Sequence, residues 1–81
     1  MAIISFEYLK KAIEYSRING FDLTERDPWV RIDNCFLLRK HILLDKKLSR
    51  NDKIEMGRIV SIYGSTAQQD CDLFVSGYSY R

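Results

Sequence analysis

The chain has 81 residues and a formal net charge of +2, which is the size of one small folded domain. Hydrophobic residues make up 46% of it and charged residues 30%, a composition that excludes an intrinsically disordered tail and a fibrous repeat. No apolar run is longer than four residues, so the sequence predicts neither a membrane-spanning helix nor a signal peptide.

The number and spacing of the cysteines indicate the cellular compartment of the protein. Cys35 and Cys71 lie 36 positions apart, whereas a disulfide-built secreted domain of this length usually carries about four to eight cysteines. We therefore expect a cytoplasmic protein with both thiols reduced and buried, and with no metal or other cofactor. A zinc site made by Cys35, His41 and Cys71, with Asp70 or Asp72 as the fourth ligand, is the alternative, although these residues lack the close ligand spacing of structural zinc sites.

Apolar residues recur with helical spacing along the chain, which predicts an all-α fold, a single helical domain over residues 1–81. Ser5 precedes the first helix and Gly20 follows it, while Asp27 and Pro28 are a typical start of the second. Gly64 is interpreted as a stop before a capping box that begins at Ser65. The four predicted helices cover approximately residues 5–19, 28–46, 50–63 and 66–76.

The second predicted helix is apolar on nearly every side, so it should be central or share a face with another chain. A short strand in which Val30 and Ile32 alternate with polar residues is the competing interpretation. In the third helix, Gly57 predicts close packing of a neighbouring helix, with a bend in the helix as the alternative, because glycine inside a helix otherwise costs about 1 kcal/mol.

Positive charge is concentrated in the middle of the chain. Residues 37–58 contain seven basic and three acidic side chains, whereas the segments on either side are each slightly negative. Such a surplus favours acidic partners and speeds encounter with them. The predicted basic surface consists of Arg39, Lys40, Lys46, Lys47, Arg50 and Lys53.

The alternative function is that of a small DNA-binding regulator that uses the basic segment 46–58. If the second and third helices formed a helix-turn-helix, Arg50, Asn51 and Lys53 would lie at the start of the recognition helix. Lys46 and Lys47 would then contact phosphates. The low net charge and the acidic residues on the same turns argue against this alternative.

Enzymatic chemistry is not predicted, because the single histidine, His41, has no second base or nucleophile at a suitable spacing. We expect no catalytic residue and no small-molecule substrate. The predicted function is a protein–protein interaction module, an adaptor, inhibitor or accessory regulator of bacterial or phage type that self-associates as a homodimer. Its predicted interface residues are Trp29, Leu38, Ile42, Tyr78 and Tyr80.

Overall fold

A computed structural model of the protein describes residues 4–79, with side chains for residues 4–75. Within this range the chain forms three α-helices and no strand, which confirms the all-α fold class. Val30 and Ile32, the candidate strand residues, both lie in a helix. The helices are α1 (Phe6–Ile18), α2 (Pro28–Leu44) and α3 (Arg50–Ser79).

The ends of α1 follow local backbone chemistry. Ser5 occupies the N-cap position with an extended backbone, but its hydroxyl makes no capping hydrogen bond. At the other end Gly20 has φ +79°, and its N–H donates to the carbonyl of Arg17 at 3.3 Å. A positive φ is easily adopted only by glycine, so the predicted stop at Gly20 is confirmed.

The start of α2 is the predicted one. The carboxylate of Asp27 accepts hydrogen bonds from the N–H groups of Trp29 and Val30, and Pro28 is the first helical residue. The helix ends at Leu44, two residues before the predicted end. Asp45 adopts an extended backbone there, and its carboxylate accepts a 2.8 Å hydrogen bond from the N–H of Lys47.

The third helix is continuous where the sequence predicts a break. It begins after Ser49, whose hydroxyl accepts a 3.1 Å hydrogen bond from the N–H of Asp52. The predicted helices 50–63 and 66–76 are joined into α3 because Gly64 keeps a helical backbone. Gly64 lies against α2, where a Cβ would come within 3.5 Å of Cys35 Cβ. A Cβ at this distance would make an ordinary van der Waals contact, so Gly64 packs against α2 as a regular helical residue.

α2 and α3 form an antiparallel hairpin connected by residues 45–49. Side-chain and packing contacts run from the connection to the far end of α2, so the two helices lie side by side. In order, these contacts pair Leu43 with Lys53, Cys35 with Gly64, Arg31 with Asp70, and Trp29 with Phe74.

The core lies where the three helices and the segment after α1 meet. Ser16 is fully buried there, and its hydroxyl donates to the carbonyl of Ile13 and accepts from the N–H of Leu23. No buried side-chain nitrogen or oxygen in the described part of the chain lacks a hydrogen-bond partner. The principal core residues are Ala12, Leu23, Cys35, Leu38, Ile42, Met56, Ile59 and Val60.

Across residues 4–79, no helix has both the length and the apolar character that crossing a membrane requires.

Candidate functional site

A groove runs between α2 and α3 near the connection of the hairpin. It encloses about 540 Å³, and no residue of α1 lines it. Gly57 opens the groove, since a Cβ at this position would meet no other atom within 4 Å. The predicted close approach of another helix at Gly57 is therefore wrong. The other apolar lining residues are Ile42, Leu43, Ile54 and Ile62.

Basic side chains line the same groove, and none of its described lining residues is acidic. Two of the four basic residues make nearby polar contacts. The Lys53 ammonium donates to the carbonyl of Leu43 at 3.0 Å, and the Arg58 guanidinium contacts the Glu55 carboxylate at 3.2 Å. The other two, Arg39 and Arg50, are exposed and form no ion pair with any residue between 4 and 75. Their charges are available to a partner.

The predicted basic surface is divided by the fold. Arg39, Arg50 and Lys53 meet at the groove, although they come from two helices. Lys40 points elsewhere, with its ammonium 5.1 Å from the centre of the Phe36 ring. Lys46 and Lys47 are exposed in the connection between α2 and α3.

The predicted interface residues also separate. Leu38 and Ile42 are 0% and 1% exposed and belong to the core, so they are not offered to a partner as free side chains. α2 is apolar on most sides, and packing against α3 decides which side is buried. Trp29 is 47% exposed and packs edge-on against Phe74 with the ring centres 5.3 Å apart. Tyr80 and the side chain of Tyr78 lie outside the described residues.

Sequence reasoning identified Arg50 and Lys53 of α3 but missed the apolar lining that this helix supplies. Ile54 and Ile62 are not among the predicted site residues, and only Gly57 carried a signal. A glycine in the middle of a helix marks either close packing or open space. The sequence alone could not distinguish these two cases.

The start of α3 is fastened to α1. The carboxylate of Asp52 accepts hydrogen bonds from the Lys11 ammonium at 2.9 Å and from the Tyr8 hydroxyl at 3.1 Å. The hydrogen bond from Lys11, followed by that from Tyr8, holds the pKa of Asp52 below its ordinary value. Asn51 donates to the same Tyr8 hydroxyl at 2.8 Å. Asn51, which is a candidate DNA contact, therefore already forms a hydrogen bond within the protein.

The residues of the alternative zinc site show no metal-binding geometry. Within the described residues, no group of three His, Cys, Asp or Glu side chains could hold a metal ion. Cys35 and Cys71 are both buried, and burial raises the pKa of each thiol. His41 lies near the rings of Tyr15 and Phe21, at 6.1 and 5.8 Å between ring centres.

The groove combines two kinds of recognition in one place. Its aliphatic side chains can bury an apolar group, and the guanidinium groups of Arg39 and Arg50 can pair with carboxylates at the edge. This arrangement is suited to binding a group that is both apolar and acidic. No protein-family model, curated protein or solved structure matches this chain.

Proposed function

We propose that the protein is a non-enzymatic protein–protein interaction module that binds a short segment of a partner protein in the groove between α2 and α3. The observation that carries this proposal is the position of Arg39 and Arg50 beside an aliphatic lining without an acidic residue among its described members. The homodimer predicted from the sequence is a separate proposal, and it concerns another surface, the side of α2 that faces away from the core.

The groove defines the chemistry of the bound segment. Its aliphatic lining favours an apolar side chain, because burying apolar area supplies most of the affinity at such surfaces. Arg39 and Arg50 favour aspartate or glutamate on either side of that residue and speed the encounter. The expected ligand is therefore an acidic, amphipathic segment of a partner protein.

The same geometry gives less support to DNA binding. A helix-turn-helix places its two helices at roughly 90–120°, whereas α2 and α3 lie side by side along the whole of α2. Asn51 is bonded to Tyr8, and Lys53 donates to a carbonyl of α2.

A displayed library of random peptides tests the proposal with a defined probe. Selection on the immobilised protein should enrich peptides in which one or two apolar residues are flanked by carboxylates. Gly57→Leu should weaken the binding of an enriched peptide by at least about tenfold, because the new side chain enters the groove without removing any existing contact. Gln69→Leu introduces the same side chain at an exposed α3 position outside the groove and is the matched control.

Charge reversal tests the second half of the site. Arg39→Glu with Arg50→Glu should slow association with the selected peptide and reduce its salt dependence, while Lys10→Glu on exposed α1 should leave both unchanged. Peptides without acidic residues, or equal binding by Gly57→Leu, would overturn the proposal. Titration of a labelled DNA duplex at low salt gives the competing outcome: binding that Lys46→Glu with Lys47→Glu removes would favour the DNA alternative.

A further inference from the structure

The side of α2 that faces away from the core has a regular pattern. Val30, Leu37 and Leu44 follow one another at intervals of seven residues and are between 43% and 80% exposed. Asp33 and Lys40 lie between them on the same side, because residues three and four positions apart share a helix face. Phe36 adds an exposed aromatic ring beside this row. We call these six residues the outer face of α2.

The two charged residues of the outer face are Asp33 and Lys40. Neither Asp33 nor Lys40 forms an ion pair within the part of the chain whose side chains are described. The ammonium of Lys40 instead lies over the Phe36 ring. An apolar row with one acidic and one basic residue is complementary to a surface that carries the same pattern in the opposite direction.

We propose that a second copy of this chain occupies the outer face, with the two α2 helices packed antiparallel about a two-fold axis near residues 36 and 37. In this arrangement Asp33 faces the partner's Lys40, and by symmetry Lys40 faces the partner's Asp33. Val30 meets the partner's Leu44, and Leu37 packs beside its own copy. The same patch on each copy thus buries Val30 and Leu44 at its two ends and forms two ion pairs.

The charges specify the direction of packing. A parallel pair of α2 helices would place Asp33 opposite the partner's Asp33 and Lys40 opposite the partner's Lys40. Like charges across a helix interface are unfavourable, and such pairs commonly determine orientation in helical assemblies. The antiparallel pair converts both repulsions into attractions, and its apolar row still packs against an apolar row.

Sedimentation equilibrium over a dilution series tests the dimer. The natural chain should form dimers of twice its 9.6 kDa mass. Asp33→Lys and Lys40→Asp should each weaken dimerisation by at least about tenfold, because either change places like charges opposite each other twice. The double variant, Asp33→Lys with Lys40→Asp, should restore it. Glu14→Lys and Lys10→Asp repeat the two charge changes on exposed α1 and serve as controls.

Disulfide trapping tests the orientation. When Asp33→Cys and Lys40→Cys chains are mixed and oxidised, the antiparallel dimer should give mainly the mixed disulfide, whose mass identifies it. A parallel dimer would give each variant bonded to itself. In the antiparallel arrangement two copies of position 33 are separated by about 10 Å along the helices, which is too far for a disulfide. Cys35 and Cys71 are buried and do not compete.

The outcomes separate this inference from the proposed function. A monomer at every concentration, a dimer insensitive to Asp33→Lys, or self-paired disulfides would overturn the antiparallel dimer. Gly57→Leu should leave dimerisation unchanged, because Gly57 lies in the groove and not on the outer face. Conversely, Asp33→Lys should leave peptide binding unchanged, so either proposal can fail without the other.

Discussion

The Tyr15 hydroxyl donates a 2.6 Å hydrogen bond to the carboxylate of Asp45 and thereby fastens α1 to the connection between α2 and α3. Burial, and then the hydrogen bond to Asp45, raise the pKa of Tyr15 to about 12. The same hydrogen bond is the main reason that the pKa of Asp45 is lower than its ordinary value. Both shifts favour the neutral hydroxyl bonded to the ionised carboxylate.

The first prediction concerns pH. The stabilisation from Tyr15 is complete below about pH 10 and is lost as the pH rises to about 12, whereas that from Asp45 is lost as the pH falls below about 4. Tyr15→Phe should therefore lower the urea midpoint at neutral pH and reduce its further fall at alkaline pH. Tyr63→Phe is the control, since the Tyr63 hydroxyl has no hydrogen bond to any described residue. Equal alkaline loss in Tyr15→Phe and the natural chain would contradict the assignment.

The second prediction uses two glycines with opposite roles. Gly57→Ala should raise the free energy of unfolding by about 0.5–1 kcal/mol, since alanine is the better helix former and its methyl group meets nothing. Gly20→Ala should lower it by about 1 kcal/mol, since φ +79° is strained for a residue with a Cβ. Chemical denaturation measures both. A destabilising Gly57→Ala would show that the groove is closed at this position.

The third prediction distinguishes an exposed ring from a core side chain. Trp29→Ala should cost about 1–2 kcal/mol of stability, because about half of the residue is already in solvent and the loss is limited to its buried half, which includes the contact with Phe74. Leu38→Ala should cost about 2–5 kcal/mol, because it leaves a cavity in the core. Guanidinium chloride unfolding compares the two variants. Equal costs would place Trp29 in the core.

The fourth prediction concerns Cys35 and Cys71. Because both thiols are buried and burial raises their pKa values, neither should react with a thiol reagent until the protein unfolds. Titration in native buffer and in denaturant measures the accessible thiols in each state. Rapid reaction of either cysteine in the folded protein would contradict burial, and stoichiometric zinc in elemental analysis would support the alternative metal site.

The sequence predicts those parts of the fold that short-range chemistry determines. The hydrogen bonds of Asp27 and the positive φ of Gly20 involve residues only a few positions away, so their helix boundaries are visible in the sequence. Gly64 is the same residue type as Gly20, yet it continues a helix, and there it packs against Cys35 of α2. A contact between residues 29 positions apart has no local signal.

The candidate site depends on long-range packing in the same way. The sequence identifies a basic middle segment, but Arg39 and Arg50 come together only when α2 and α3 pair across their connection. Likewise, nearly every side of α2 is apolar, so periodicity could not show that Leu38 is buried while Leu37 is exposed. The chemistry of the surface was predictable, whereas its geometry was not.

The short connection of residues 45–49 has a consequence for folding kinetics. Closing so small a loop costs little chain entropy, so the α2–α3 hairpin should form early and rapidly. α1 docks onto the hairpin through contacts between residues far apart in the sequence, since Tyr8 forms a hydrogen bond with Asp52, 44 positions away. In native-state hydrogen exchange, α1 amides should therefore open at a lower free energy than those in the middle of the hairpin. Undocking α1 would uncover core side chains while leaving the groove intact.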